Sequence, residues 1–399
     1  MFENPLLYSI FWVFAAFWIS KAIIPILLLI SKEKHLFDDG DDERKMHNGL
    51  IPTLGGVAIF AAIIIAFSAS PLGSQIDGYG YIVSASMILF AAGLKDDLLI
   101  ISANKKLVSQ LLAVGLIIFG ADIYISNLGG VFGIEEVSGW VGIPLTFFTM
   151  IVVINSMNLI DGIDGLAGSL GIFAALFFGY WFYAAGFTEW ALLAFTFSAS
   201  VMGFLWFNWS PAKIFMGDTG SLIVGFFLSV LAVQFVELSV ASPAAVSWQG
   251  AAPIVVAAVL AVPLYDTLRV FILRAIRGNS PFDADSEHVH HHILRAGLDH
   301  KKIVLILLSL NSLILATVIL LSFVLSNTLL LLYLLSVSTL ILPTNKWKRQ
   351  LLSFLAPPSI SDSDFFPDFL EPVNDHTKEE PNRSNTLEGK EKKSAEVFH

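Results

Sequence analysis

A run of amides and carboxylates at regular spacing interrupts one of the most apolar parts of the chain. Asn155, Asn158, Asp161 and Asp164 recur at every third residue in the segment VVINSMNLIDGIDGLAG. Three-residue spacing on a helix places neighbouring side chains on roughly one face. Because polar groups without partners are costly in hydrocarbon, this pattern predicts a substrate site at a membrane surface. The glycines of the segment would let the backbone approach a ligand closely.

Three further carboxylates stand at the ends of apolar runs. Asp96 and Asp97 are adjacent in GLKDDLL. Adjacent carboxylates repel, so at least one needs a cation or a proton, although a solvated loop paired to Lys95 is the alternative. Asp218 lies in FMGDTGS before another apolar run. It could bind a metal ion beside a helix N-terminus that also favours phosphate, or it could be an ordinary helix N-cap.

Two basic loops could bind phosphate. The segment DSEHVHHHILRAG carries several basic side chains, namely His288, His290, His291 and Arg295. Histidines packed this closely suit phosphate binding better than a zinc site, whose ligands usually come at i,i+4 or from separate segments. The loop DDERKMHNGLIPTLGG offers Lys45 and His47 at the lipid boundary. These two residues either set the membrane topology or cradle the phosphate of a lipid.

The composition identifies the class of protein that must position these side chains. The 399 residues are 55% hydrophobic and 14% charged, with a mean hydropathy of +0.74. Soluble chains carry about 25% charged residues, so we predict an integral membrane protein in the lipid bilayer. With no cysteine, disulfides and thiolate metal sites are excluded. The net charge of -10 gives no indication of a nucleic-acid partner, and we expect none.

Apolar runs of about 20 residues predict an all-α fold with about eleven transmembrane helices. The predicted spans are 5–30, 50–69, 78–94, 105–121, 138–157, 165–187, 190–207, 219–236, 252–272, 303–325 and 328–343. Lys and Arg occupy alternate connections only, and they are absent from 70–77, 122–137, 188–189, 237–251 and 326–327. The positive-inside rule then predicts an N-terminus outside and a cytoplasmic C-terminus.

This topology places every polar cluster on the cytoplasmic side and divides the chain into two parts. Residues 1–345 are predicted to form the membrane domain with cytoplasmic active-site loops. Residues 346–399 form a cytoplasmic tail, which we predict to be largely disordered because it is rich in proline, serine and acidic residues.

Five segments together resemble one known family. In chain order they are RKMHNGLIPTLGG, GLKDDL, NSMNLIDGIDGLAG, FMGDTGS and DSEHVHH. This order is similar to that of the polyprenyl-phosphate N-acetylhexosamine-1-phosphate transferases of the WecA type, which are related to the MraY type. The resemblance covers the chain up to the tail and implies a multi-pass protein of the bacterial inner (plasma) membrane. Its first loop departs from the family pattern in being rich in acidic residues.

The resemblance implies a reaction and a cofactor. Undecaprenyl phosphate and the UDP-sugar UDP-N-acetylglucosamine would give undecaprenyl-diphosphate-N-acetylglucosamine and UMP, starting a lipid-linked envelope glycan. Mg²⁺ is expected because it binds carboxylate and phosphate oxygens, and Mn²⁺ could replace it.

The same resemblance suggests a role for each polar cluster. Asp218 would bind the metal with Asp97 or Asp161, and Asp96 would orient the attacking phosphate or act as a base. Asp161 and Asp164 complete the predicted catalytic set. The other residues are predicted to bind substrate, namely Lys45, His47, Asn155, Asn158, His288, His290, His291 and Arg295.

Two alternatives stay open. The donor could be UDP-MurNAc-pentapeptide or another UDP-N-acetylhexosamine. A transporter is a more distant alternative, because transporters place charged sites near the middle of the bilayer, whereas these carboxylates lie at span ends. The sequence leaves open whether the protein forms a homodimer.

Overall fold

The fold, known from a computed structural model, is a bundle of apolar helices. The structure describes residues 5–34, 51–99, 101–241, 249–276 and 299–341. Twelve α-helices occur in this part of the chain: α1 Pro5–Lys34, α2 Gly55–Ala69, α3 Tyr79–Leu99, α4 Ala103–Phe119, α5 Gly139–Ile160, α6 Leu166–Ala185, α7 Thr188–Asn208, α8 Gly217–Ala241, α9 Ala252–Val259, α10 Ala261–Ile276, α11 His300–Ser322 and α12 Asn327–Ile341.

The helices confirm a multi-pass membrane protein. Every predicted apolar run contains helix, and in the described residues six helices are long and apolar enough to cross a membrane. A bent pair, α9 and α10, would make a seventh. Apolar runs become helices here because only a helix satisfies its own backbone groups in lipid.

The predicted continuous span 252–272 is wrong, because the structure divides it. The axes of α9 and α10 meet at 78° beside Leu260. Pro263 explains the break, since its ring clashes with the carbonyl four residues earlier and it has no N–H to donate. The freed groups find a buried partner in α11: Asn311 Nδ2 donates to Val259 O at 2.8 Å, and Val262 N–H donates to Asn311 Oδ1 at 3.0 Å.

A β-hairpin lies at one end of the bundle. Its antiparallel strands are β1 (Asn127–Val131) and β2 (Ile134–Glu136). Glu237 near the end of α8 holds the chain just before β1, because both the amide and the hydroxyl of Ser126 donate to its carboxylate, at 2.7 and 2.5 Å.

Helix α8 lies at the centre of the bundle and is closely packed at its other end. Most of it is buried, and it contacts α2, α3, α5 and α6. A Cβ at Gly56 of α2 would lie 2.1 Å from Gly220 N, and one at Gly93 of α3 would lie 2.5 Å from Thr219 Cα. Small residues therefore bring three helix backbones together at the start of α8, as in other membrane bundles.

Candidate active site

The segment before α8 is fixed by backbone hydrogen bonds to the segment before α2. Phe215 N–H donates to Pro52 O at 2.8 Å, and Gly55 N–H donates to Phe215 O at 3.0 Å. Gly217 has φ +71°, and a Cβ there would lie 2.1 Å from Thr53 O. Glycine is therefore required at this position. The segments IPTLGG and FMGDTGS are thus partners in the structure, which the sequence alone did not indicate.

Asp97 caps α8 from a different helix. Its Oδ1 accepts from Asp218 N–H at 2.7 Å, and its Oδ2 accepts from Thr219 N–H at 3.0 Å and from Thr219 Oγ1 at 2.5 Å. A carboxylate at this position satisfies free amides of the first turn and complements the helix dipole. The helix N-cap considered for Asp218 is therefore provided by Asp97, which leaves the Asp218 side chain available for other contacts.

Lys106 bridges two of the predicted carboxylates. Its Nζ lies 2.6 Å from Asp96 Oδ2 and 3.0 Å from Asp218 Oδ1. Asp96 is buried and also accepts from Ile101 N–H at 2.6 Å. The alternative pairing of these aspartates with Lys95 does not occur: the cation beside Asp96 is Lys106 at the start of α4, and Asp97 accepts from the first turn of α8.

The amide and carboxylate run does not form one helical face, because α5 ends before its last two members. Asn158 lies in the last turn and donates to Asp218 Oδ1 and, at 2.7 Å, to Ser221 Oγ. Asp161 is the C-cap of α5, and Asp164 lies in the turn before α6.

Asn155 faces the neighbouring helix α4. It exchanges two hydrogen bonds with the buried amide of Gln110, at 2.9 and 3.2 Å, and donates to Ile151 O at 2.8 Å. Substrate binding is predicted for Asn155, whereas in the structure its amide joins α4 to α5. Lys106 lies about one turn from Gln110, and Asn158 lies about one turn from Asn155. The contact between the two amides therefore brings Lys106 and Asn158 to the same carboxylate, that of Asp218.

The turn that carries Asp164 is anchored by residues from two distant segments. Asp164 Oδ2 accepts from Ala212 N–H at 3.2 Å and lies 3.3 Å from His300 Nδ1. Asn208 accepts from Gly165 N–H and donates to Ile214 O, both at 2.9 Å. Gly165 itself has φ +79°, a conformation that suits glycine.

These elements enclose a cavity of about 530 Å³. Five predicted site residues line it: Asp97, Asn158, Asp161, Asp164 and Asp218. Asp96 and Asn155 lie beside it without lining it. The remaining predicted residues lie outside the described part of the chain, namely Lys45, His47, His288, His290, His291 and Arg295.

The cavity concentrates negative charge, and Asp161 is the residue most affected. Burial raises the pKa of the Asp161 carboxyl well above its ordinary value. Three nearby carboxylates raise it further, in the order Asp218, Asp97 and Asp164. Since like charges disfavour ionisation, a cation that entered the cavity would be held strongly and would favour the ionised form of Asp161.

The donor set of the cavity fits Mg²⁺ better than a metal that needs a complete protein cage. Among the described residues, no three His, Cys, Asp or Glu side chains form a ready-made metal site. Magnesium is usually held by one or two carboxylates together with substrate phosphates and water. Asp218 and Asp161, which both line the cavity, are the two carboxylates that would hold such an ion.

Lys106 and His300 are site residues that the motifs did not identify. Lys106 is one of the lysines of the basic connections that predict the topology, and His300 lies outside every motif. The sequence offered one signal for Lys106: it stands at the start of the apolar run that follows Asp96 and Asp97. Nothing in the sequence connected His300 with Asp164, 136 residues earlier.

The chain is similar to known proteins over this region. Residues 79–236 match the sequence profile of glycosyl transferase family 4. A probable undecaprenyl-phosphate N-acetylglucosaminyl 1-phosphate transferase of Bacillus subtilis (strain 168) is 32% identical over 271 residues, which are 67% of this chain and 73% of the relative. The undecaprenyl-phosphate alpha-N-acetylglucosaminyl 1-phosphate transferase of Escherichia coli (strain K12) is 31% identical over 286 residues, covering 68% and 73%. The protein of the same description from Yersinia pestis is 30% identical over 280 residues, with the same coverage.

Proposed function

Since the chain belongs to glycosyl transferase family 4, among the polyprenyl-phosphate N-acetylhexosamine-1-phosphate transferases, we propose that it transfers N-acetylglucosamine-1-phosphate from UDP-N-acetylglucosamine to undecaprenyl phosphate. UMP is the second product. The observation that carries this proposal is the identity to the Bacillus and Escherichia transferases across about two thirds of the chain. The four carboxylates that line the cavity, Asp97, Asp161, Asp164 and Asp218, lie within the family match at residues 79–236.

In the reaction, a phosphate oxygen of the lipid attacks the sugar-linked phosphorus of the donor. The bond between that phosphorus and the oxygen leading to UMP breaks, and UMP leaves with that oxygen. A phosphate monoester is already ionised near neutral pH, so the attack needs no base. This argues against a base role for Asp96, whose two oxygens are held by Lys106 and Ile101.

The residues of the cavity position anionic groups and offset their charge. Lys106 keeps a positive charge against Asp218 and Asp96, and Asn158 holds Asp218 from the opposite helix. Asp97 fixes the backbone that carries Asp218. We therefore assign Asp97 a positioning role, and Asp218 with Asp161 the role of metal ligands.

Mg²⁺ is the proposed cofactor, and Mn²⁺ is the expected substitute. When bound, the ion would offset the repulsion between two anionic reactants and the charge that develops on the leaving oxygen. The roles of the other predicted residues stay predictions: Lys45 and His47 for the lipid phosphate, and His288, His290, His291 and Arg295 for the diphosphate.

We further propose that the site end of the bundle faces the cytoplasm of a bacterium, with the protein in its inner membrane. The site residues come from the end of α3, the start of α4, the end of α5 and the start of α8, so successive helices alternate in direction as eleven spans require. The connections at this end carry Lys and Arg, which the positive-inside rule assigns to the cytoplasm.

The test is a nucleotide-release assay with the full chain in detergent. Undecaprenyl phosphate is offered with UDP-GlcNAc, UDP-GalNAc, UDP-MurNAc-pentapeptide or UDP-glucose, with EDTA and then with added Mg²⁺ or Mn²⁺. We expect UMP release to be fastest with UDP-GlcNAc, to stop with EDTA and to return with either ion.

Different failures separate the parts of the proposal. Release of UDP in place of UMP would reject phosphosugar transfer. A higher rate with another donor would change only the sugar, and a rate that EDTA leaves unchanged would reject the metal.

A further inference from the structure

Lys21 is a positive charge within an apolar helix and far from the motifs. It lies within the candidate span Ser9–Lys34 of α1. No carboxylate of the described residues forms an ion pair with it. Its ammonium instead lies over three rings, 3.9 Å from the centroid of Trp206, 4.9 Å from Trp18 and 5.6 Å from Phe17. An ionisable residue in a span is costly, so a functional partner is expected.

The position of this cation is fixed by the crossing of α1 and α7. A Cβ at Gly203 would lie 2.5 Å from Phe17 O and 3.2 Å from Lys21 N, so the two backbones touch there. Trp206 is one turn after Gly203 on the same face of α7. The aromatic cage, which we define as Phe17, Trp18 and Trp206, is therefore built by helix packing rather than by a flexible loop.

The cage stands at one end of an apolar groove of about 940 Å³. The groove lies between α1, α6 and α7, and its walls include Phe14, Phe17, Trp18, Leu176, Phe195 and Met202. Phe17 and Trp18 thus belong to both the groove and the cage. Trp18 is 59% and Trp206 65% exposed, so the cage faces the surroundings of the bundle, which in a membrane are lipid.

We propose that the groove and Lys21 bind one anionic phospholipid of the bilayer, with its acyl chains in the groove and its phosphate at the ammonium of Lys21. The apolar walls match acyl chains, and Lys21, which has no carboxylate partner among the described residues, selects a headgroup with net negative charge. Cation–π contacts stabilise the charge of Lys21, but they supply no counter-ion, and the lipid phosphate does.

This lipid is not the acceptor of the transfer reaction. The groove and the acid-lined cavity share no lining residue, and Lys21 borders neither Asp161 nor Asp218. The proposal is therefore independent of the proposed function, and its test measures binding alone.

Native mass spectrometry of the full chain in detergent tests the proposal directly. Phosphatidylglycerol and phosphatidylcholine with matched acyl chains are added in equal amounts. We expect the wild type to retain one phosphatidylglycerol with a preference of about fivefold or more, which is the effect of one lysine on an anionic lipid. Lys21→Gln should abolish the preference, and Lys21→Arg should keep it. Lys34→Gln, which removes an exposed lysine at the end of the same helix, should have no effect.

A second variant tests the groove while keeping the cation. Met202→Trp adds bulk to a half-exposed wall residue, and it should reduce retention of both lipids without lowering the melting temperature. If both the wild type and Lys21→Gln retained phosphatidylglycerol and phosphatidylcholine equally, the bound lipid would be adventitious only. That result would overturn the proposal. Displacement of the retained lipid by one equivalent of undecaprenyl phosphate would also overturn it.

A second copy of the chain is the other occupant to exclude. Because the chain has no cysteine, Leu176→Cys places a single thiol in the groove wall. We expect this variant to remain uncrosslinked under mild oxidation in membranes. Rapid formation of a disulfide-linked dimer would show that the groove is an interface between copies, which would reject the lipid site.

Discussion

Helix α8 carries an acidic residue near each end, and the two acids are used differently. Among the described residues Glu237 is held by Ser126, whose amide and hydroxyl both donate to it. Asp218 is held by the side chains of Lys106 and Asn158, which come from two other helices. At about 1.5 Å per residue the two acids are separated by about 28 Å along the helix.

The difference shows how a structural carboxylate can be told from a functional one. The partner of Glu237 is the residue directly before β1, and it cannot turn to a ligand without releasing that strand. Asp218 and its partner Asn158 both line a cavity of about 530 Å³, so Asn158 can exchange Asp218 for a ligand in that cavity. Asp97 and Asn155 resemble Glu237 in this respect, although both lie at the site end.

The largest effect on turnover is expected at the site end of α8. Asp218→Asn removes the proposed metal ligand but keeps the size of the side chain, so UMP release should fall by about 10³-fold or more. The melting temperature, followed by tryptophan fluorescence, should change little. Asp77→Asn, at an exposed acid in the connection before α3, is the matched control. Near-normal UMP release from Asp218→Asn would reject its assigned role.

Lys106→Met leaves the carboxylates of Asp96 and Asp218 without their shared cation. Asp96 is buried, so both turnover and stability should decrease, with turnover falling by about 10²-fold. Lys106→Arg should recover part of the rate. The adjacent lysine gives a close control, because Lys105 is exposed and Lys105→Met should behave as wild type. Equal effects of the two Met variants would mean that Lys106 acts only through general charge.

The amide pair that joins α4 to α5 should give a smaller effect with a distinctive pattern. Asn155→Leu leaves the buried amide of Gln110 without its partner, and Gln110→Leu leaves the Asn155 amide with only its bond to Ile151 O, so each single variant should lower the melting temperature and reduce turnover by about tenfold. The double variant removes both amides and should be more stable than either single variant. Additive losses in this double-mutant cycle would show that the two amides are not coupled.

Glu237→Gln should change stability and leave chemistry intact, the reverse of Asp218→Asn. The new amide has one oxygen and no charge, so the bonds to Ser126 lose the strength that a carboxylate gives them, and the melting temperature should fall by about 2–4 °C per kcal/mol lost. UMP release per folded molecule should stay within about twofold of wild type, since Glu237 is remote from the cavity. Glu136→Gln, on the exposed face of β2, serves as its control. A large loss of turnover in Glu237→Gln would contradict a purely structural role for Glu237.

The positions of the helices follow from the sequence because lipid sets the length of an apolar run. The grouping of Asp97, Asp161 and Asp218 at one cavity was likewise predictable, since all three stand at span ends on the same predicted side. What each polar residue does was not predictable, because its partner comes from a distant segment. Asn155 meets Gln110 across two helices, and Asp164 meets His300 in a helix near the end of the described chain.

The bend between α9 and α10 was missed for a related reason. Pro263 was a visible signal, but prolines at 25 and 144 lie inside continuous helices. What decides the outcome at Pro263 is Asn311, which accepts and donates hydrogen bonds at the break. A proline breaks a buried helix cleanly where a neighbouring side chain can satisfy the freed backbone groups.

This elbow also bears on how the protein is assembled during synthesis. With eight residues, α9 is about 12 Å long, which is too short to cross a bilayer by itself. The backbone groups that the bend frees, Val259 O and Val262 N–H, are satisfied by Asn311 of α11, which the ribosome synthesises later. We expect the bent segment to wait at the insertion machinery until α11 emerges, so that the two enter the bilayer as one unit.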